Sequence, residues 1–147
     1  MNDLKAYIDK SVLCWLATSS SDNIPNVSPK EVFAFYPENA IIIANIASPL
    51  SVKNIKENDN VCVSFIDVFV QKGFKINGKA EIVSKNDLEY ATMESIILGM
   101  TEGKFPFSNI IKISIDNVRK IIAPKYILYP ETTEEDQIKS AKKTYGV

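Results

Sequence analysis

Histidine is absent from the 147 residues, and that one absence removes whole reaction classes. No Ser-His-Asp or Cys-His relay, no imidazole zinc site and no histidine-ligated haem can be built. Charge of one sign is lacking as well: 17 Lys+Arg face 18 Asp+Glu for a net charge of -1. That balance leaves no basic surplus for a nucleic-acid backbone or an anionic membrane. The two cysteines, Cys14 and Cys62, stand far apart among apolar residues (VLCWLA and NVCVSFI) and form no CxxC. They read as small core residues of a reducing compartment. Long apolar runs are missing, and MNDLKAYIDK carries charges where a signal peptide needs its apolar region, so the expected location is the cytoplasm. Repeats, low-complexity tracts and linkers are also missing. What remains, 46% hydrophobic and 24% charged residues, is the composition of one globular domain over residues 1–147.

Periodicity places the elements. Leu4, Tyr7 and Ile8 sit at helical spacing within Asn2 to Lys10. Val12 to Thr18 reads as a strand ending in SSSDN, a cluster of turn formers. Pro25 to Tyr36 reads as a second strand, Pro37-Glu38-Asn39 as a turn, and Ala40 to Ile46 as a buried strand too β-branched for a helix. Three strands so joined predict an antiparallel meander. Ser48 as N-cap and Pro49 at the first helical position open a short helix through LSVKNIKEN. Val61 to Val70, Gly73 to Val83 and Asn109 to Ile122 read as further strands. Asp87 to Met100 reads as a helix, as does TTEEDQIKSAKKTYG with acids first and lysines last. About six strands and few helices predict a mainly β fold, a small antiparallel barrel with short helices attached.

Few residues offer chemistry. Gly73 to Ala80, GFKINGKA, falls one residue short of a phosphate loop; Ala80 has no hydroxyl for Mg²⁺, and β-alternation continues where that motif needs a helix. A glycine bulge in a strand or an Asn77-Gly78 turn explains it instead. No G-x-G-x-x-G occurs, and the carboxylates are scattered. Asp67, between Ile66 and Val68, is either on the solvent face, which strand alternation favours, or buried and partnered. The surviving constellation is IANIASPLSVKN, where Asn45, Ser48, Ser51, Lys53 and Asn54 surround a helix start suited to one phosphate. The competing explanation is a capping serine on a solvated helix face. Ser28, Lys30 and Glu31 form a second polar set around Pro29, which marks an edge or bulge, and Gln71-Lys72 forms a third.

These strings, CWLATSSSDNIPNVSPKEVFAFY, IIIANIASPLSVKNIKENDNVCVSF and VFVQKGFKINGKAEIV, with APKYILYP more loosely, resemble the flavin-nucleotide-binding proteins related to pyridoxamine 5'-phosphate oxidase. The resemblance covers roughly Val12 to Val83 and implies a six-stranded FMN-binding split β-barrel that dimerises and holds FMN at the subunit interface. It implies that Ser28, Pro29 and Lys30 run beside the isoalloxazine and ribityl chain, that Asn45 approaches the flavin, and that Ser48, Ser51, Lys53 and Asn54 surround the phosphate. Gln71 and Lys72 would touch the flavin, and Lys30 and Lys72 are the candidates to stabilise its anionic reduced form. Many relatives carry an Arg-Lys pair where this chain has Leu50-Ser51. One charged phosphate contact contributes roughly 1.5 to 3 kcal/mol, so the exchange weakens FMN binding by about ten-fold or more.

The function so implied is a homodimeric, FMN-dependent oxidoreductase acting on a small molecule, with neither nucleic acid nor membrane as partner. Oxidation of vitamin B6 phosphates is not expected, because the oxidase of this superfamily uses a histidine to hold its substrate. The alternatives are a flavin-binding or stress-related protein without turnover, and a split barrel loaded with haem or the deazaflavin F420.

Overall fold

The computed structural model describes residues 2–37 and 39–147. Of the expected turn Pro37-Glu38-Asn39, Glu38 lies outside the described residues. In chain order the elements are α1 (Asn2–Lys10), β1 (Cys14–Ser19), β2 (Pro25–Lys30), β3 (Phe33–Tyr36), β4 (Ala40–Ala44), α2 (Pro49–Glu57), β5 (Asn60–Asp67) and β6 (Lys72–Ser84). They continue with α3 (Tyr90–Thr101), β7 (Asn109–Ile122), α4 (Pro124–Leu128) and α5 (Glu134–Tyr145). Among the described residues no helix is long and apolar enough to cross a membrane.

The strands form one antiparallel sheet in the order β2-β1-β5-β6-β7-β4-β3. The count is seven where about six were expected, because Pro25 to Tyr36 is two strands interrupted at Glu31 and Val32. The expected meander is overturned by the same break. β2 pairs with β1 and β3 with β4, but β2 and β3 are the two outer edges of the sheet. Pro29, which cannot donate to a ladder, accordingly lies on an edge strand.

The long pair β6 and β7 is the spine. It runs from Lys72↔Ile122 to Ser84↔Asn109, with its register shifted at Asn77/Gly78. Asn77-Gly78 therefore lies mid-strand rather than in a turn, opposite a bulge that leaves Asp116 of β7 unpaired, and the glycine is needed for close approach: a Cβ there would stand 2.2 Å from the Ser114 carbonyl oxygen. Inside the curled sheet Leu16, Ile41, Ile43, Val63, Ile76 and Ile113 are fully buried, and α1 adds Leu4 and Ile8. The opposite face of β4 and β7 packs Ile42 and Ile110 against Met93 and Ile97 of α3 in a second cluster. Asp67 ends β5 half-buried and partnered, its carboxylate accepting from the backbone N–H groups of Phe69 and Val70 at 3.1 Å each. The expectation of a solvent-facing acid within a strand gives way to a carboxylate that fastens a turn.

Gly78 and Gly99 separate the two uses of glycine. Gly78→Ala forces a methyl into the β7 backbone and is expected to destabilise by about 1–3 kcal/mol. Gly99 lies in α3, where an added Cβ would meet nothing within 4 Å, so Gly99→Ala is expected to stabilise by about 0.5–1 kcal/mol. Urea unfolding of the two variants checks both signs.

Candidate functional site

Alternation along β2 sends Pro25, Val27 and Pro29 outward and turns Lys30 inward, where it is only 5% exposed. Its register partner is Cys14, itself fully buried. The Lys30 ammonium donates to Ser48 Oγ. Among the described residues no carboxylate lies within ion-pair distance of it. Burial holds this ammonium below the usual lysine range, opposed by Cys14. The thiol cannot serve as its counterion, since burial pushes Cys14 up to about 12 and leaves it neutral at physiological pH. A buried cation without a counter-charge is costly, and such groups concentrate where a ligand supplies the missing charge.

Ser48 stands at the N-cap position of α2, but its side chain makes no capping bond. The expected cap is replaced by a hydroxyl that accepts from Lys30 and donates to the Ile46 carbonyl at 3.4 Å. Pro49 has no N–H, so Leu50 and Ser51 present the free donors of the first turn. The preceding residue, Ala47, is held at φ 51. That left-handed conformation in a residue with a Cβ is local strain of order 1–3 kcal/mol, of the kind found around ligand sites. Ammonium, hydroxyl and helix start thus converge, on an end of the barrel where an anion would satisfy all three.

The remaining residues of the three polar sets divide. Ser28 is half-buried on the same inward side as Lys30, and Pro29 is exposed on the outer side. Ser51 and Asn54 are buried on the inner face of α2, where the Asn54 amide donates to Thr18 Oγ1 at 3.0 Å and so braces the helix against β1. Lys53 is exposed on the other side of α2, and Asn45 follows the end of β4. Gln71 and Lys72 are not brought to the helix start: β1 and β5 lie between β2 and β6, roughly 14 Å of sheet. Gln71, at φ 58, turns β5 into β6 and accepts from the Ala123 N–H at 3.0 Å. Lys72 is bound to Glu134 at 2.9 Å and lies 4.5 Å from the centre of the Tyr126 ring, and the Glu134 hydrogen bond raises its pKa.

The connection from α3 to β7 went unnoticed in the sequence. Phe105 walls a cavity of about 220 Å³ together with Lys30, Glu31 and Ile46. Pro106, Phe107 and Ser108 line a shallow groove of about 500 Å³ with Asn45, Ser48 and Pro49. The signal was KFPFS, two aromatics around a proline between a helix and a strand. A third cavity, about 760 Å³, opens on the outer face beside Trp15, Ile66, Val68 and Phe69.

The comparisons with known proteins agree with this architecture. A crystal structure of an FMN-binding protein from Syntrophomonas wolfei superposes with a TM-score of 0.69 at 16% identity, over 83% of this chain and 86% of that one. General Stress Protein 26 from Bacillus anthracis gives 0.64 at 17% identity, over 82% and 92%. An F420 reductase gives 0.61 at 18% identity, over 78% and 94%. Similarity at this level is similarity of fold. No curated protein matches the sequence significantly. The family model described as pyridoxamine 5'-phosphate oxidase matches residues 2–122, the whole of the sheet from α1 to the end of β7. The chain therefore belongs to the pyridoxamine 5'-phosphate oxidase family.

Proposed function

We propose that this chain binds FMN at the Lys30–Ser48 junction and works, as a homodimer, as a flavin-dependent oxidoreductase on a small molecule other than a vitamin B6 phosphate. The observation that carries the reading is the buried Lys30 ammonium with no carboxylate partner among the described residues. One ammonium, one hydroxyl and the start of one helix match a single terminal phosphate, and an FMN carries one. The neighbours named as an FMN-binding protein and an F420 reductase support a phosphate-bearing flavin or deazaflavin, and the single cradle favours FMN between them.

In this reading Lys30 and Ser48 bind the phosphate, the Leu50 and Ser51 N–H groups complete its shell, and Lys53 adds charge from the exposed side of α2. Ser28 and Pro29 follow the cofactor along β2, while Asn54 holds α2 in place through Thr18. When bound, FMN supplies the electron chemistry, so a chain without histidine needs no acid–base relay of its own. A second copy is supported by the outer face of β2, β1 and β5, where Val27, Trp15 and Ile66 are exposed. An apolar patch of that kind suits a subunit contact. Gln71 and Lys72 would then meet the cofactor from across the dimer rather than within one chain.

The absorption spectrum of the purified protein, before and after FMN addition and desalting, tests the reading. About one FMN retained per chain is expected, and a protein that stays colourless overturns it. Lys30→Met is expected to lower FMN affinity about ten- to hundred-fold, the effect of one charged contact. Ser48→Ala combined with Lys53→Ala lowers it as well without unfolding the chain, as fluorescence titration and circular dichroism would report.

The same lysine sets a pH dependence. Its folded pKa lies below the unfolded value, so the folded apo-protein holds fewer protons than the unfolded chain between the two. Apo stability is therefore expected to rise as pH increases through that alkaline window, while phosphate affinity falls as the ammonium is lost. Lys30→Met removes the buried charge and should raise apo stability at neutral pH and abolish the alkaline rise. Thermal melts across pH 7 to about 10.5 read both effects.

A further inference from the structure

Residues 68–71 turn β5 into β6, and this turn, with Lys72 after it, is held residue by residue by the last part of the chain. The Phe69 ring meets the Tyr145 ring edge-on with 6.3 Å between centres, and Lys142 Nζ lies 5.7 Å from the centre of the same Phe69 ring. The Val70 carbonyl accepts from the Tyr126 hydroxyl at 2.7 Å, and the Gln71 carbonyl accepts from the Ala123 N–H at 3.0 Å. The Lys72 ammonium donates to Glu134 Oε1 at 2.9 Å and sits over the Tyr126 ring. Four consecutive residues thus each have a partner between Ala123 and Tyr145. Every one of those partners lies beyond residue 122, where the match to the family model ends.

α5 presents one stripe to the turn. Glu134, Gln137, Ala141 and Tyr145 follow at three- and four-residue steps, Gln137 and Ala141 are buried, and the two ends of the stripe touch Lys72 and Phe69. The Thr133–Asp136 capping box fixes where the helix starts and so sets Glu134 at its first position. A lysine stem leaving a turn has many rotamers, and Glu134 together with the Tyr126 ring leaves it few. We propose that residues 123–145 are a clamp that positions the β5–β6 turn, with Glu134 as the positioning residue that aims the Lys72 ammonium. The proposal rests on the FMN reading for what that ammonium serves, the cofactor reached across the dimer. Glu134 acts there only through Lys72.

Hydrogen exchange of the whole chain without FMN tests the clamp, read at the Phe69, Val70 and Gln71 amides, which all donate to Asp67. Glu134→Gln is expected to speed their exchange about two- to five-fold, the effect of one exposed ion pair. Tyr126→Phe keeps the ring, loses the hydroxyl and should speed it about two- to ten-fold. Amides of the β6–β7 ladder should keep their wild-type rates. Glu135→Gln removes the same charge from the same helical turn, but Glu135 pairs with Lys139, so the β5–β6 turn should be unaffected. Unchanged turn amides in either Glu134→Gln or Tyr126→Phe overturn the proposal. Acceleration spread evenly over the sheet does so too, as does acceleration in Glu135→Gln as large as in Glu134→Gln. The midpoint potential of retained FMN reads the aim of the ammonium. Loss of a nearby negative charge alone would raise that potential, whereas a misplaced lysine lowers it, so Glu134→Gln should shift it downward, in the direction of Lys72→Met and by less. An upward shift overturns the role given to Glu134. FMN retention, measured on the same samples, separates the two proposals: local acceleration without retention removes the FMN reading alone, and retention with unchanged turn amides removes the clamp alone.

Discussion

Glu31 and Val32 join β2 to β3. From Lys30 to Phe33 the chain can reach only about 10 Å. Yet the two strands are the opposite edges of a seven-stranded sheet, and in a flat sheet they would stand roughly 29 Å apart. The link can be made only if the sheet curls until its edges meet, so a two-residue connection enforces the barrel. The core of aliphatic side chains and the plugging of its interior by α1 are consequences of that closure. So is the junction itself, because curling carries the end of β2 over the end of β4 and sets Lys30 against Ser48.

Inside the barrel polarity is graded rather than mixed. Ile41, Ile43, Ile111 and Ile113 fill the middle with no polar atom to satisfy, and burial of each side chain contributes roughly 1.5–3 kcal/mol. Lys30, Ser48, Asn45 and Asn109 lie at or just beyond the ends of their strands. The apolar middle tolerates these positions because its surplus offsets one buried ammonium and two unmet carboxamide oxygens. Natural proteins keep such costs at places of use.

The strands were legible where β-branched residues crowd together, as in AIIIANI and IIKISID, because no helix accommodates them so densely. The break at Glu31-Val32 was not legible. PNVSPKEVFAFY carries no turn signal there, and the interruption comes from closure of the sheet, a long-range demand. Ser48 and Pro49 correctly announced a helix, but the serine's hydroxyl went to Lys30 instead of the cap, a choice set by a residue from another strand. Asn54 looked like a free donor and is a brace to Thr18. In each case the residue type was visible and the partner was not.

The same logic bears on the exchange of the familiar Arg-Lys pair for Leu50-Ser51. Leu50 is half exposed and Ser51 is buried against the barrel, so neither position supplies charge to the start of α2. A positive charge is nevertheless present, delivered from beneath by β2. A lysine in the first turn of a surface helix is hydrated, mobile and screened by salt over about 8–10 Å. Lys30 is desolvated, fixed by its strand and by Ser48, and lies in a region of low dielectric, where one charge acts more strongly than it would in water. One buried ammonium can therefore replace part of what two exposed cations provide. In the proposed reading the replacement is paid for in apo stability rather than in conformational entropy, because the lysine that would hold the phosphate is also the buried charge that burdens the empty fold.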